Sequence, residues 1–151
     1  MSDTREDILV RLLAVLATIP NIRTAQRNNV DLTDIKLPAA SLYDGDEETD
    51  DASDMGMRPP NRPTIVRMTP QIVISQQADE AGSDISTLRR ELIKRVLTDT
   101  ELNDNIVKTG RHGNGAIRYL GCRLDFAFGR QLLGSMQAEF MFKYALKPEE
   151  L

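Results

Sequence analysis

A chain of 151 residues with no Trp and one Cys is the length of one domain, too short for two ordinary ones, and its core must rest on Leu, Ile, Val and Met. A lone cysteine excludes an intrachain disulfide, so nothing implies secretion. The formal charge of −4 becomes +3 once the seven carboxylates between Asp44 and Asp54 are set aside, and so mild a basic balance excludes the concentrated basic face that nonspecific DNA binding by the whole chain requires.

Residues 3–19 predict an amphipathic helix, because Ile8, Leu12, Val15, Leu16 and Ile19 recur at helical spacing. Ser2 or Asp3 is its cap, Glu6 and Asp7 suit the positive end of its dipole, and Pro20-Asn21 ends it. Its apolar run is broken by Arg11 and too short to cross a bilayer. Asp3, Glu6 and Asp7 also stand where a signal peptide would be positive. The expected location is a cytoplasm, or a particle assembled there, with no membrane partner.

Residues 22–28 and 37–43 read as short strands around a turn. The stretch 44–63 then breaks the pattern. It carries Asp46, Glu47, Glu48, Asp50 and Asp51, then Arg58, Arg62 and three prolines, with no apolar periodicity. We read it as an acidic, Pro-rich flexible arm of a single domain spanning 1–151.

Beyond the arm, residues 64–77 predict a strand with Val66, Met68, Ile72 and Ile74 on one face. Pro70 shares that face but cannot donate a ladder hydrogen bond, which marks an edge strand or a bulge. Residues 85–98 predict a second helix, buried along Ile85, Leu88, Leu92, Val96 and Leu97, with Arg89, Arg90, Lys94 and Arg95 outside. Glu91 and Arg95 form a favourable i,i+4 pair. Residues 100–108 add a helical turn or two.

A long hairpin closes the chain. Leu120, Cys122, Leu124, Phe126 and Phe128 are expected to face inward, against Met136, Ala138, Phe140, Phe142 and Tyr144. Arg123 and Glu139 belong to the opposite face. Strands of about 12 residues are about twice the usual length. The order predicts an α+β fold: an antiparallel sheet, two main helices packed on one face, a long closing β-hairpin and an acidic extended loop.

Catalytic chemistry finds little support. His112, the one histidine, lies in "GRHGNG" with no orienting partner in view. Cys122 on an apolar strand face reads as a small buried hydrophobe. "GRHGNG" lacks the Lys and Ser/Thr of a phosphate loop. The acidic arm resembles a calcium loop only superficially, since "DGDEETDDASD" has Gly at its second position and is followed by Met55 where the bidentate Glu belongs. No catalytic residue, cofactor or metal ligand is assigned. The basic stripe of the second helix, the arm's acids, Arg58, Arg62, Arg123 and Glu139 are kept as candidate contacts between subunits.

This order of elements, with its "MTPQIVIS" strand and the hairpin "YLGCRLDFAF…MQAEFMFKYAL", resembles the tail terminator (tail completion) proteins of tailed bacteriophages, the lambda-like family. The resemblance implies a non-enzymatic virion protein of the tail and neck. It would form a homo-oligomer, a hexameric ring that caps the tail tube protein and ends tail polymerisation. It would then offer a surface to the head–tail connector or head-completion protein, while DNA passes through the lumen without specific binding. The alternatives are another neck component, such as a head-completion or connector protein, or a small cytosolic ligand-binding domain or enzyme using the "GRHGNG" loop.

Overall fold

A computed structural model describes residues 3–28, 38–49, 64–77, 81–109, 115–127 and 133–146. The order is α1 (Thr4–Ala17), β1 (Thr24–Arg27), β2 (Ala39–Thr49), β3 (Thr64–Gln77), α2 (Ala81–Thr98), a π-helical turn (Glu101–Ile106), β4 (Ala116–Ala127) and β5 (Leu133–Leu146). The expected α+β class holds, with both helices on one face of a five-stranded sheet ordered β1-β2-β3-β5-β4.

The Asp3 side chain caps α1 by accepting from the Arg5 amide, and Glu6 and Asp7 follow in its first turn. The helix ends at Ala17 with Thr18 as its C-cap, and beyond it Asn21 turns to φ 72°, a left-handed conformation that Asn tolerates better than most residues. Its stripe of Ile8, Leu9, Leu12, Val15 and Leu16 is buried over β1 and β2. The second helix buries Ile85, Leu88, Leu92 and Val96 over β3, β5 and β4. Beneath them lie Met68, Ile72, Ile74, Met136, Phe140, Phe142 and Tyr144. The other face of the sheet has no described layer on it.

Three expectations need correction. The sheet is mixed, because β1 pairs parallel to β2, Thr24 opposite Ala39. Of the two readings of Pro70 the edge fails, because its strand is central, flanked by β2 and β5, while the bulge holds. Its missing N–H is accommodated by the neighbour: β2 carries one extra residue between Tyr43 and Asp46, beside Thr69-Pro70. Gly45 fits there at φ 72°, where a Cβ would stand 2.0 Å from the Thr69 carbonyl oxygen. Third, the acidic stretch does not begin as a loose arm. Asp44–Thr49 are the second half of β2, because β3 offers backbone partners that outweigh their poor strand propensity. The remainder of the arm, with Asp50, Asp51, Arg58 and Arg62, lies outside the described residues, as do His112 and Phe128.

The hairpin register holds on β5, where Met136, Ala138, Phe140, Phe142 and Tyr144 are buried. It fails in part on β4. An extra residue, Leu120, falls between Tyr119 (opposite Phe140) and Gly121 (opposite Glu139, φ 135°), and the strand changes phase there. Ile117 and Tyr119 pack on the core before the bulge; Cys122 and Leu124 share the core side after it.

Two consequences are measurable by urea unfolding. Gly45→Ala should lower stability by about 1–3 kcal/mol, from the strained φ alone, with the contact on Thr69 adding to it. Phe140→Ala should cost about 3–5 kcal/mol, whereas Leu124→Ala should stay within about 0.5 kcal/mol.

Candidate interaction surface

Three polar clusters join elements distant in sequence. Arg27 on β1 donates to Asp44 at 2.8 and 2.9 Å and to Glu6 at 2.7 and 2.9 Å, so one guanidinium joins β1, β2 and the start of α1. These bidentate, charge-assisted bonds hold both carboxyls below their ordinary range and the Arg27 guanidinium above its own. Arg11 on α1 makes a similar fork to Asp99, at 2.9 and 2.7 Å, and Asp99 accepts from the Leu102 amide at the π-helical turn. The Arg11 fork lowers the Asp99 carboxyl in the same way. Tyr144, buried, donates its hydroxyl to Glu47. Burial first, then the Glu47 carboxylate, push that phenol far above the usual tyrosine range.

The acids of β2 therefore have distinct neighbours. Glu47 takes Tyr144, and Glu48 is 3.3 Å from Arg67 in an exposed pair. Asp46 is exposed. None of them meets the basic residues of α2 within one chain among the described contacts; β3 and β5 stand between. On α2, Arg95 pairs with Glu91 at 3.2 Å as the spacing predicted, and Arg90 and Lys94 are exposed. Arg89 is less free than a solvated stripe implies, since its guanidinium lies 5.8 Å from the centre of the Tyr119 ring. Cys122, first, and Tyr119 hold Arg89 further toward its charged form.

The outer strand β4 departs most from expectation. Leu120 is 46% and Leu124 52% exposed, and Cys122 is exposed rather than buried. Cys122 and Leu124 sit on the core side, opposite buried Ala138 and Met136, yet both stay exposed, although Arg89 of α2 reaches Cys122. No described strand pairs with β4 on its far side. Its other face holds Arg118, Arg123 and Asp125, exposed, beside partly covered Glu139, which accepts from Gln71 at 2.8 Å. Sequence reasoning named Arg123 and Glu139 but missed Arg118, Tyr119 and the exposure of Leu124. The signal was Gly121, an isolated glycine inside a strand pattern.

An open cleft of about 340 Å³ lies between Asn21, Ile22, Arg23, Pro38, Gln76, Thr87 and Leu88. Arg23 is its one titratable described lining residue, so these residues offer no acid–base pair. No group of three or more metal-ligating side chains gathers among the described residues. No described helix is long and apolar enough to cross a membrane. In comparisons with known proteins, no family model and no curated sequence matches the chain.

The Arg27 junction has a pH signature. Its carboxyls have depressed values when folded, so its contribution is complete above the unfolded range of roughly 4. The contribution falls away as pH drops through the folded values. Arg27→Met should therefore destabilise the protein most at neutral pH, and the gap to the parent should narrow below pH of about 4. Unfolding midpoints across pH 2–7 check this; a gap independent of pH would assign Arg27 a packing role only.

Proposed function

We propose that this protein is a ring-forming structural component of a tailed-phage particle, a tail terminator that caps the tail tube and presents a docking surface to the head side. One observation carries the reading: the sheet's long outer strand leaves apolar Leu120, Cys122 and Leu124 exposed and, among the described residues, has no strand paired on its outer side. Edge strands of monomeric proteins are usually short, covered or blunted; β4 has a bulge and charged side chains, yet it is long and keeps apolar residues exposed. A 12-residue edge with a half-exposed Leu on the core side suits a domain completed by another chain. The second face of the sheet, with no layer on it among the described residues, and the acidic second half of β2 support the same reading. So does the order of elements that the resemblance to terminators rests on. On this view the virion is where the protein works, and the tail tube protein and the connector are its neighbours.

The test uses the full chain and the particle that carries it. Purified protein should form a closed ring, six copies by the resemblance, in native mass measurement and electron microscopy. Particles assembled without it should carry tails of irregular length. A protein that stays monomeric at all concentrations, with tails of normal length made in its absence, would overturn the proposal. Normal tail length with unjoined heads would assign it instead to the head-completion or connector proteins.

A further inference from the structure

We propose that β4 is a self-pairing edge: in the free protein its second half, residues 121–127, lies antiparallel against the same segment of a second copy, about a two-fold axis at Leu124. This contact belongs to the free chain and does not depend on the ring reading.

β4 is outermost, and among the described residues no strand pairs with its far side. After the bulge it runs straight, Cys122 to Ala127 stepping evenly along Ala138 to Leu133 of β5. Leu124 is 52% exposed on the helix side. Arg89 of α2 leans on Tyr119 and Cys122, short of Leu124, so the helix side stays accessible there. Arg123 and Asp125 flank Leu124 on the open face. Both are exposed, and no hydrogen bond or ion pair holds either of them among the described residues. A 12-residue edge with a half-exposed leucine is a template for another chain.

Symmetry narrows the register. Identical strands that pair antiparallel are related by a two-fold axis perpendicular to the sheet. One residue then opposes its own copy, and its two neighbours oppose each other across the axis. Centred on Arg123 or on Asp125, the pairing sets like charges directly opposite, which is destabilising. Centred on Cys122, it runs Leu124 against the bulged Leu120, where the strand changes phase. Centred on Phe126, it carries Arg123 past the end of the strand. Centred on Leu124, Arg123 of each copy opposes Asp125 of the other, and the two Leu124 side chains share one layer on the helix side. Cys122 is then level with Phe126 and Gly121 with Ala127, so every pair joins residues of the same face. Read in opposite directions, Arg-Leu-Asp is complementary to itself, and that favours a second copy as the occupant.

The experiment uses the full chain, with cross-linking and sedimentation as readouts and circular dichroism as the folding control. Directly opposed residues have Cα atoms about 4.5–5.5 Å apart, within disulfide reach. In a chain carrying Cys122→Ser, Leu124→Cys should therefore give an interchain disulfide under mild oxidation. Cys122 of the parent should bridge far more slowly, because its two copies stand about 13 Å apart along the strands. Arg123→Asp and Asp125→Arg should each weaken the pair about tenfold at low salt. Mixed in equal amounts, these two single variants should pair with each other again, because every opposed position then carries opposite charges. Bridging through Cys122 as fast as through Leu124→Cys overturns the contact, as do charge variants that pair like the parent, or a parent chain monomeric at all concentrations. Rings without the Leu124→Cys cross-link remove the contact and keep the ring reading. The cross-link without rings, in solution or in the particle, removes the ring and keeps the contact.

Discussion

The sheet is organised around a proline at its centre. Pro70 lies midway along β3, the central strand of the sheet, and it has no N–H to give. The disturbance is not confined to β3. Gly45 of β2 presses against Thr69-Pro70, the register sets Pro70 opposite Phe140 of β5, and Phe140 faces Tyr119 of β4, next to the second bulge. Two one-residue insertions thus fall on one line across the sheet. Bulges increase twist and bend the strand that carries them, so this line is where the sheet curves.

Each insertion also exchanges the two faces of its strand. In β2, Ala40 and Leu42 point at the helices before the bulge; after it Glu47 does, and reaches Tyr144. Asp46 and Glu48 are turned to the open face, beside Thr69 and Arg67. In β4 the core side passes from Ile117 and Tyr119 to Cys122 and Leu124. Without the glycines that permit these insertions, the acids of β2 would swap faces and Glu47 would lose its phenol. The charge pattern at the sheet's ends follows from backbone geometry as much as from composition.

The ion pairs hold these pieces in register rather than supplying most of the stability. Arg27 and Arg11 each join elements distant in sequence, at partly exposed sites where an isolated pair contributes little. Their bidentate forks fix where α1 sits over β1, β2 and the π-helical turn. The apolar layer between helices and sheet, from Leu12 and Leu92 to Phe140 and Tyr144, supplies the larger share of the folding energy.

Periodicity alone determined most elements of this protein. The spacing of Ile8, Leu12 and Leu16, of Leu88, Leu92 and Val96, and the alternation along β3 and β5 are consequences of burying one face, and one face is what a local pattern records. The same logic marked Arg123 and Glu139 as lying away from the core. The tertiary structure decided what alternation cannot carry: whether anything covers the face a residue points to. Leu124 points to the core side and remains exposed because its strand is outermost. Six residues of an apparently structureless acidic run became strand because β3 was there to pair with them. The partnership of Arg27 with Glu6 and Asp44 spans 21 and 17 positions and exists only once β1 lies parallel to β2. Contacts across such distances come from topology, and no local spacing encodes them.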